Sequence, residues 1–337
     1  MTKKHTTIVD VADKAGVSKM TVSRVINGKG EISEATRQRV LSAMQDLGFR
    51  PNRLAQRLAT NATFQIGIVV SSITNPHFGA IIEGAELVLW EHNYQILLCH
   101  TGSDAAREEA VMRVLEDNRV DGVIILSAHS SLEAMNRALA NQRAAVAINT
   151  QVSPDVAARI FTDEISSMAM AVNHLIANGR RRIGYVHFAI NTYASHERYR
   201  GFELALRQAG LEFDPHRQTA VVPTELGLPA NTIIRDLLTT NPDIDALVCF
   251  NTGIAAKALQ TCVALGRRVP ADIALIGYDE QLITELTTPP LTTIDIVPKH
   301  DVGALAARML LQRIENGNSP VEDVILQHKL IIRDSAP

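Results

Sequence analysis

From residue 66 onward the chain alternates short Ile/Val-rich runs with longer amphipathic segments, and this alternation restricts the fold more than any other feature. The runs lie at 66–70, 96–99, 123–126, 144–148, 183–187, 219–222, 246–250 and 273–276. Apolar runs of this length, separated by helical patterns, are what strands covered on both faces require, so they predict parallel sheets sandwiched by helices. The pattern also echoes itself. Ile66-Gly67-Ile68-Val69-Val70 leads through a loop into a helix ending near His92 and Asn93, and Ile183-Gly184-Tyr185-Val186-His187 leads into a helix over 197–209 ended by Gly210. Two similar doubly wound lobes follow from that echo.

Nothing of this kind occurs before residue 62, and the charge changes there too. Residues 1–62 hold eleven Lys and Arg against five acids, whereas the remainder carries nine more acids than bases; the net charge of −3 hides the division. A small basic head on a larger acidic body predicts that the head meets a polyanion. The three cysteines, Cys99, Cys249 and Cys262, are far apart and lie in or beside apolar runs. They read as reduced core thiols of a cytoplasmic protein. No apolar stretch is long enough for a signal peptide or a membrane span.

Within the head, Thr7 and Asp10 make a capping pattern for a helix to Ala15, and Gly16-Val17-Ser18 supplies a turn, a buried corner and the next cap. The second helix, to about Asn27, turns Val22, Val25 and Ile26 inward and leaves Lys19, Met20, Thr21, Ser23 and Arg24 outside. A third helix opens at Ser33 and Glu34 and stops at Gly48. This is a helix-turn-helix, whose second helix enters the major groove. Pro51 then stops the third helix, and Asn52 can cap a short segment over 53–59 carrying Leu54, Ala55 and Leu58 on one side. So short a helix is unstable alone and is expected to order on DNA.

TTIVDVADKAGVSKMTVSRVING resembles the head of the LacI/GalR family of bacterial transcription regulators, and RPNRLAQRLAT resembles that family's hinge. The resemblance implies that Lys19, Met20 and Arg24 read bases and that Thr7, Ser18, Thr21, Ser23 and Asn27 lie on or near phosphates. The side chains suit those roles: Arg can bond guanine bidentately, Met can touch a thymine methyl, and hydroxyls suit phosphate oxygens. It further implies that Leu58, on a hinge with Asn52 and Arg53 at the DNA, is a wedge in the minor groove.

Ligands on doubly wound sheets bind beyond the carboxyl ends of strands. The loops there hold Ser71, Asn75, His77, Phe78, Asn149, residues 191–198, Asn251, Thr252 and Asp279. Hydrogen-bonding groups with an aromatic suit a small polyol: Asp and Asn grip hydroxyls, Arg forks onto a ring oxygen or carboxylate, and Phe packs on a C–H face. The family's effector contacts carry over to His77, Phe78, Asn149, Arg198, Asn251 and Asp279. Thr252 departs from the Asp that many members have there, and residues 189–195 lack the Arg of a purine pocket.

The expected division is a head over 1–50, a hinge over 51–62 and a body over 63–337. The first lobe spans about 63–160 and the second about 161–290, with a crossover near 290–300 and the C-terminal segment returning. No GxSxG, HExxH, CxxC pair or GxxxxGK[ST] occurs, and Arg180-Arg181-Arg182 reads as a helix-to-strand turn, so an enzyme is disfavoured. A soluble sugar-binding protein without a DNA role shares the body's pattern but has no use for a basic head. The sequence thus predicts a homodimeric repressor of carbohydrate-utilisation genes, bound to a pseudo-palindromic operator. A small-molecule effector controls it as inducer or corepressor, and no metal or other cofactor is expected.

Overall fold

A computed structural model describes residues 6–26, 30–49, 62–188, 192–223, 230–296, 298–317 and 322–337. Asn27 and the hinge, with Asn52, Arg53 and Leu58, lie outside the described residues. Two compact units divide the chain, residues 1–63 and 64–337.

The first unit is built from helices α1 (Ile8–Ala15), α2 (Lys19–Ile26) and α3 (Glu34–Asp46). Thr7 and Asp10 form a reciprocal capping box, the Asp10 carboxylate accepting from the Thr7 amide at 2.7 Å. Gly16 closes α1 at φ +65°, in the left-handed region that glycine enters freely. Ser18 Oγ accepts from the Thr21 amide at 3.1 Å and so starts α2. Val11, Ala12, Ala15, Val22, Val25, Val40 and Ala43 make the core, with Val17 and Ile26 packed against it.

The second unit holds two six-stranded sheets. In the first lobe, β1 (Gln65–Val70), β2 (Gln95–His100), β3 (Gly122–Leu126), β4 (Ala145–Ile148) and β5 (Ala158–Thr162) alternate with α4 (Pro76–Glu91), α5 (Ala105–Asp117) and α6 (Leu132–Ala140). In the second, α7 (Glu164–Ala177) leads to β6 (Ile183–Phe188), α8 (Tyr193–Gln208), α9 (Pro215–Gln218), β7 (Thr219–Val222), α10 (Ala230–Thr240) and β8 (Ala246–Cys249). α11 (Thr252–Ala264), β9 (Ala274–Tyr278), α12 (Leu282–Leu286) and β10 (Thr292–Asp295) complete that run. The chain then returns to the first lobe for α13 (Lys299–Asn316) and β11 (Val324–Leu326), and ends in the second with β12 (Lys329–Ile331).

The strand orders are β11-β5-β4-β3-β1-β2, parallel throughout, and β12-β10-β9-β8-β6-β7, in which β12 alone pairs antiparallel. Each sheet is covered by an apolar cluster on both faces. This is the expected α/β architecture with a helix-turn-helix head. The chain passes between lobes three times, after β5, after β10 and after β11. The Asp163 amide donates to the Leu326 carbonyl at 2.9 Å, tying the first passage to the third.

α4 and α13 cross closely over the first sheet. A Cβ built on Gly84 would lie 2.0 Å from the His300 carbonyl oxygen, and one on Gly303 would lie 1.8 Å from that of Ile81. No other residue fits either position without parting the helices. The helix expected over 197–209 begins at Tyr193 instead, because Thr192 Oγ1 accepts from the Ser195 amide at 3.2 Å and caps it earlier. Arg181 and Arg182 form the turn into β6, their amides donating to Asp245 at 2.8 and 3.0 Å. All three cysteines are free thiols. Among the described residues no helix is long and apolar enough to cross a membrane.

Candidate functional site

Two regions carry polar groups that the folding of the chain does not by itself require. On the head, helical geometry turns Ser18, Lys19, Met20 and Arg24 to solvent, while Thr21 and Ser23 are half-buried on its flank. Met20 is 64% exposed, which puts an apolar side chain in the middle of a polar face where nothing in the head covers it. Thr7 is exposed at the capped start of α1. Free amides at helix starts and hydroxyls beside them are the groups that grip phosphate, and a long cationic side chain with a methionine beside it suits base edges.

In the body, the carboxyl ends of β1, β4, β5, β8 and β9 meet where the lobes face each other. Arg198, on α8, is 6% exposed and is held on three sides. Its Nε donates to Glu164 Oε2 at 2.8 Å and its Nη2 to Glu164 Oε1 at 3.4 Å. Nη1 donates to the Phe250 carbonyl at 2.8 Å, and the guanidinium lies 3.5 Å from the centroid of the Tyr278 ring. A planar cation over an aromatic face adds electrostatic attraction to the ion pair.

Glu164, 1% exposed, is the centre of this network. Its carboxylate accepts from Thr162 Oγ1 at 2.5 Å and from the Tyr278 hydroxyl at 2.6 Å, and His328 Nε2 lies 3.9 Å away. Ser167 in turn contacts the Tyr278 hydroxyl. Burial works against the ionised form of Glu164, but the charges of Arg198 and His328 and the bonds from Arg198 and Thr162 outweigh it. Its carboxyl therefore sits below the usual range. Burial pushes the His328 imidazole down, against the pull of Glu164.

Asn149 joins the network from the first lobe. At φ +46°, its Oδ1 accepts from the Thr162 amide and hydroxyl at 2.9 and 3.1 Å. Asp279, at φ +69°, closes the far side: His77 Nδ1 of the first lobe lies 3.0 Å from its Oδ1. Burial opposes ionisation of Asp279, yet His77, Arg198 and Lys299 hold its carboxyl well below the ordinary range. Ser71 Oγ is buried without a hydrogen-bond partner at the end of β1.

The remaining expected contacts are placed differently. Phe78 is 6% exposed and packs into the core of the first sheet, its ring edge-on to that of His77 with centroids 5.6 Å apart. Asn251 caps α11, its Oδ1 accepting from the Ile254 amide at 2.8 Å. Thr252, fully buried, donates to the Tyr278 and Asp279 carbonyls, which explains how the position does without a carboxylate. The fork of Arg198, expected to face a ligand, is filled from within the chain. Glu164, Tyr278 and His328 were not among the expected residues. An acid in the first turn of a helix is ordinary, and its burial depends on a partner 34 residues away.

Comparison with known proteins agrees with both regions. Residues 7–52 match the model of the bacterial regulatory proteins of the lacI family, and residues 172–336 match the periplasmic binding protein-like domain. The chain is 32% identical to the HTH-type transcriptional regulator RegA of Clostridium saccharobutylicum, over 98% of this chain and 99% of that one. It is 31% identical to the HTH-type transcriptional repressor PurR of Photobacterium profundum over 98% of each. Its fold superposes with a TM-score of 0.73 on a transcriptional regulator CelR–cellobiose complex, at 30% identity and covering 98% of this chain and all of that one. With relatives of that similarity along nearly its whole length, the chain belongs to the lacI family of bacterial regulatory proteins and is a DNA-binding transcriptional regulator rather than an enzyme.

Proposed function

We propose that the protein is a homodimeric repressor of carbohydrate-utilisation genes, released from or tightened on its operator by a small polyhydroxyl effector between the body's lobes. The observation that carries this reading is the His77 to Asp279 contact, which joins one lobe to the other across the facing strand ends. A ligand hydroxyl that takes Asp279 must replace His77 there, and so alters how the lobes are held. Differential binding of this kind couples a ligand to DNA, typically by about 1–3 kcal/mol.

Lys19, Met20 and Arg24 read bases in this scheme, and Thr7, Ser18, Thr21 and Ser23 hold phosphates, with Asn27, Asn52, Arg53 and Leu58 completing the DNA face. Ser71, Asn149, Arg198, Asn251 and Asp279 contact the effector. Apolar side chains left outside the body support the dimer: Leu87 and Trp90 on α4, Leu98 on the edge strand β2, and Leu282 and Leu286 on α12. A second copy covering both lobes would remove them from water.

The test is a thermal-shift screen of the protein against aldoses, glycosides, sugar acids and nucleosides, followed by operator binding with and without each stabilising compound. Release by a sugar supports induction and tightening supports corepression. Stabilisation by nucleosides alone would replace the carbohydrate assignment.

A further inference from the structure

Glu164 is as completely engaged as any polar group in the body, yet it opens a helix and forms no part of a sheet ladder. It lies one residue beyond the first passage between lobes, with both oxygens turned onto Arg198. Thr162 and the Tyr278 hydroxyl bind the same carboxylate. Arg198 has five N–H donors; three are taken by Glu164 and the Phe250 carbonyl, and Tyr278 covers one face of the guanidinium. Any acid that sought the usual fork of an arginine would meet a carboxylate already seated in it.

We propose that Glu164 is a built-in carboxylate ligand of Arg198 that sets the charge class of the effector, admitting neutral polyhydroxyl compounds and rejecting sugar acids. This rests on the effector reading given above and narrows it. Asp279 follows Tyr278, whose ring covers Arg198, so two carboxylates already stand at these strand ends. A third from the ligand would lose its hydration with no unpaired guanidinium to receive it. A neutral hydroxyl needs only one of the two remaining N–H groups of Arg198, together with Asp279 and Asn149, and leaves the Glu164 pair intact. The residue therefore governs specificity by repulsion as well as by position.

Full-length wild type, Glu164→Ala and Glu164→Gln test this. Melting is compared in chloride and in formate at equal ionic strength. Wild type is expected to melt alike in both; Glu164→Ala is expected to melt several degrees lower in chloride and to recover at least half of that loss in formate, which fits the vacated slot. Glu164→Gln, whose amide fills the slot, gains nothing from formate. Calorimetry then compares glucose with glucuronate and galactose with galacturonate. Glu164→Gln is expected to raise uronate affinity relative to the matching sugar at least tenfold over wild type. Formate stabilising wild type as much as Glu164→Ala would overturn the proposal. So would wild type taking a uronate as tightly as its sugar, or an unchanged uronate-to-sugar ratio in Glu164→Gln, which decides the matter if Glu164→Ala does not fold. Wild-type binding of any neutral sugar on the same sample separates the two readings: its absence counts against the effector reading, whereas formate rescue of Glu164→Ala alone judges the Arg198 slot.

Discussion

The head turns to solvent the side chains proposed here for DNA, whereas the body folds nearly all of those proposed for its effector inward and lets them bind one another. Lys19, Met20 and Arg24 are exposed on one helix face, and their neighbours in space are neighbours in sequence. Arg198, Glu164, Tyr278, Asp279 and His77 come from both lobes, and the contacts among them span up to about 200 residues of sequence. An outward face is shaped for a partner that must be supplied; an inward network is in a satisfied state that a ligand has to disturb. In the proposed scheme, recognition by the head is thus a matter of addition, and recognition by the body one of exchange.

If that contrast holds, substitutions in the two regions should fail in different measurements. The largest effect is expected at the body's ion pair. Arg198→Ala leaves Glu164 buried and uncompensated, and should cost about 3–5 kcal/mol of body stability in a denaturant titration. A loss near zero would mean that the pair is not closed in solution. The next effect is on DNA: Arg24→Ala should weaken operator binding by about 1–3 kcal/mol and relax choice at one base position, leaving the head's stability within about 0.5 kcal/mol. An equal loss on every DNA sequence would reassign the side chain to phosphate.

Acid should separate the regions as well. Glu164 and Asp279 are held below the usual carboxylate range, so the stability they contribute is fully present above the unfolded values near about 4 and is lost as the pH falls through the lower folded ones. The melting temperature of the body should therefore drop on acidification, and Glu164→Gln with Asp279→Asn should flatten that limb of the curve. The smallest effect is at the cap of α1, where Thr7→Ala should lower head stability by about 1 kcal/mol without moving the body's transition.

Legibility in the sequence divides along the same line. The eight apolar runs all fall on strands, and caps at Thr7, Ser18 and Ser33 start helices where the residues indicate, because strand burial and helix capping are local. β5, β10, β11 and β12 were not among the expected runs: they are short or carry Arg159, Thr292 and Lys329 among their apolar residues, which blurs the pattern. At the cleft, residue types and loops could be read, but not their engagement. Nothing near position 198 indicates that its guanidinium is already bound, and nothing near 78 distinguishes a core phenylalanine from a ligand's platform.

The close crossing of α4 and α13 bears on how the protein is made. Gly84 and Gly303 allow the two helices to touch, although more than 200 residues of sequence separate them, and β11 joins the edge of the same sheet later still. A ribosome emitting this chain delivers β1 to β5 with α4 to α6 early, yet α13, which packs beside α4 on their sheet, emerges only after the second lobe has been synthesised. The first lobe to appear is thus the last to be completed. During elongation the part of its apolar face that α13 will fill beside α4 waits uncovered, a window in which chaperone capture competes with folding, while the head, contiguous in sequence, can fold as soon as it clears the exit.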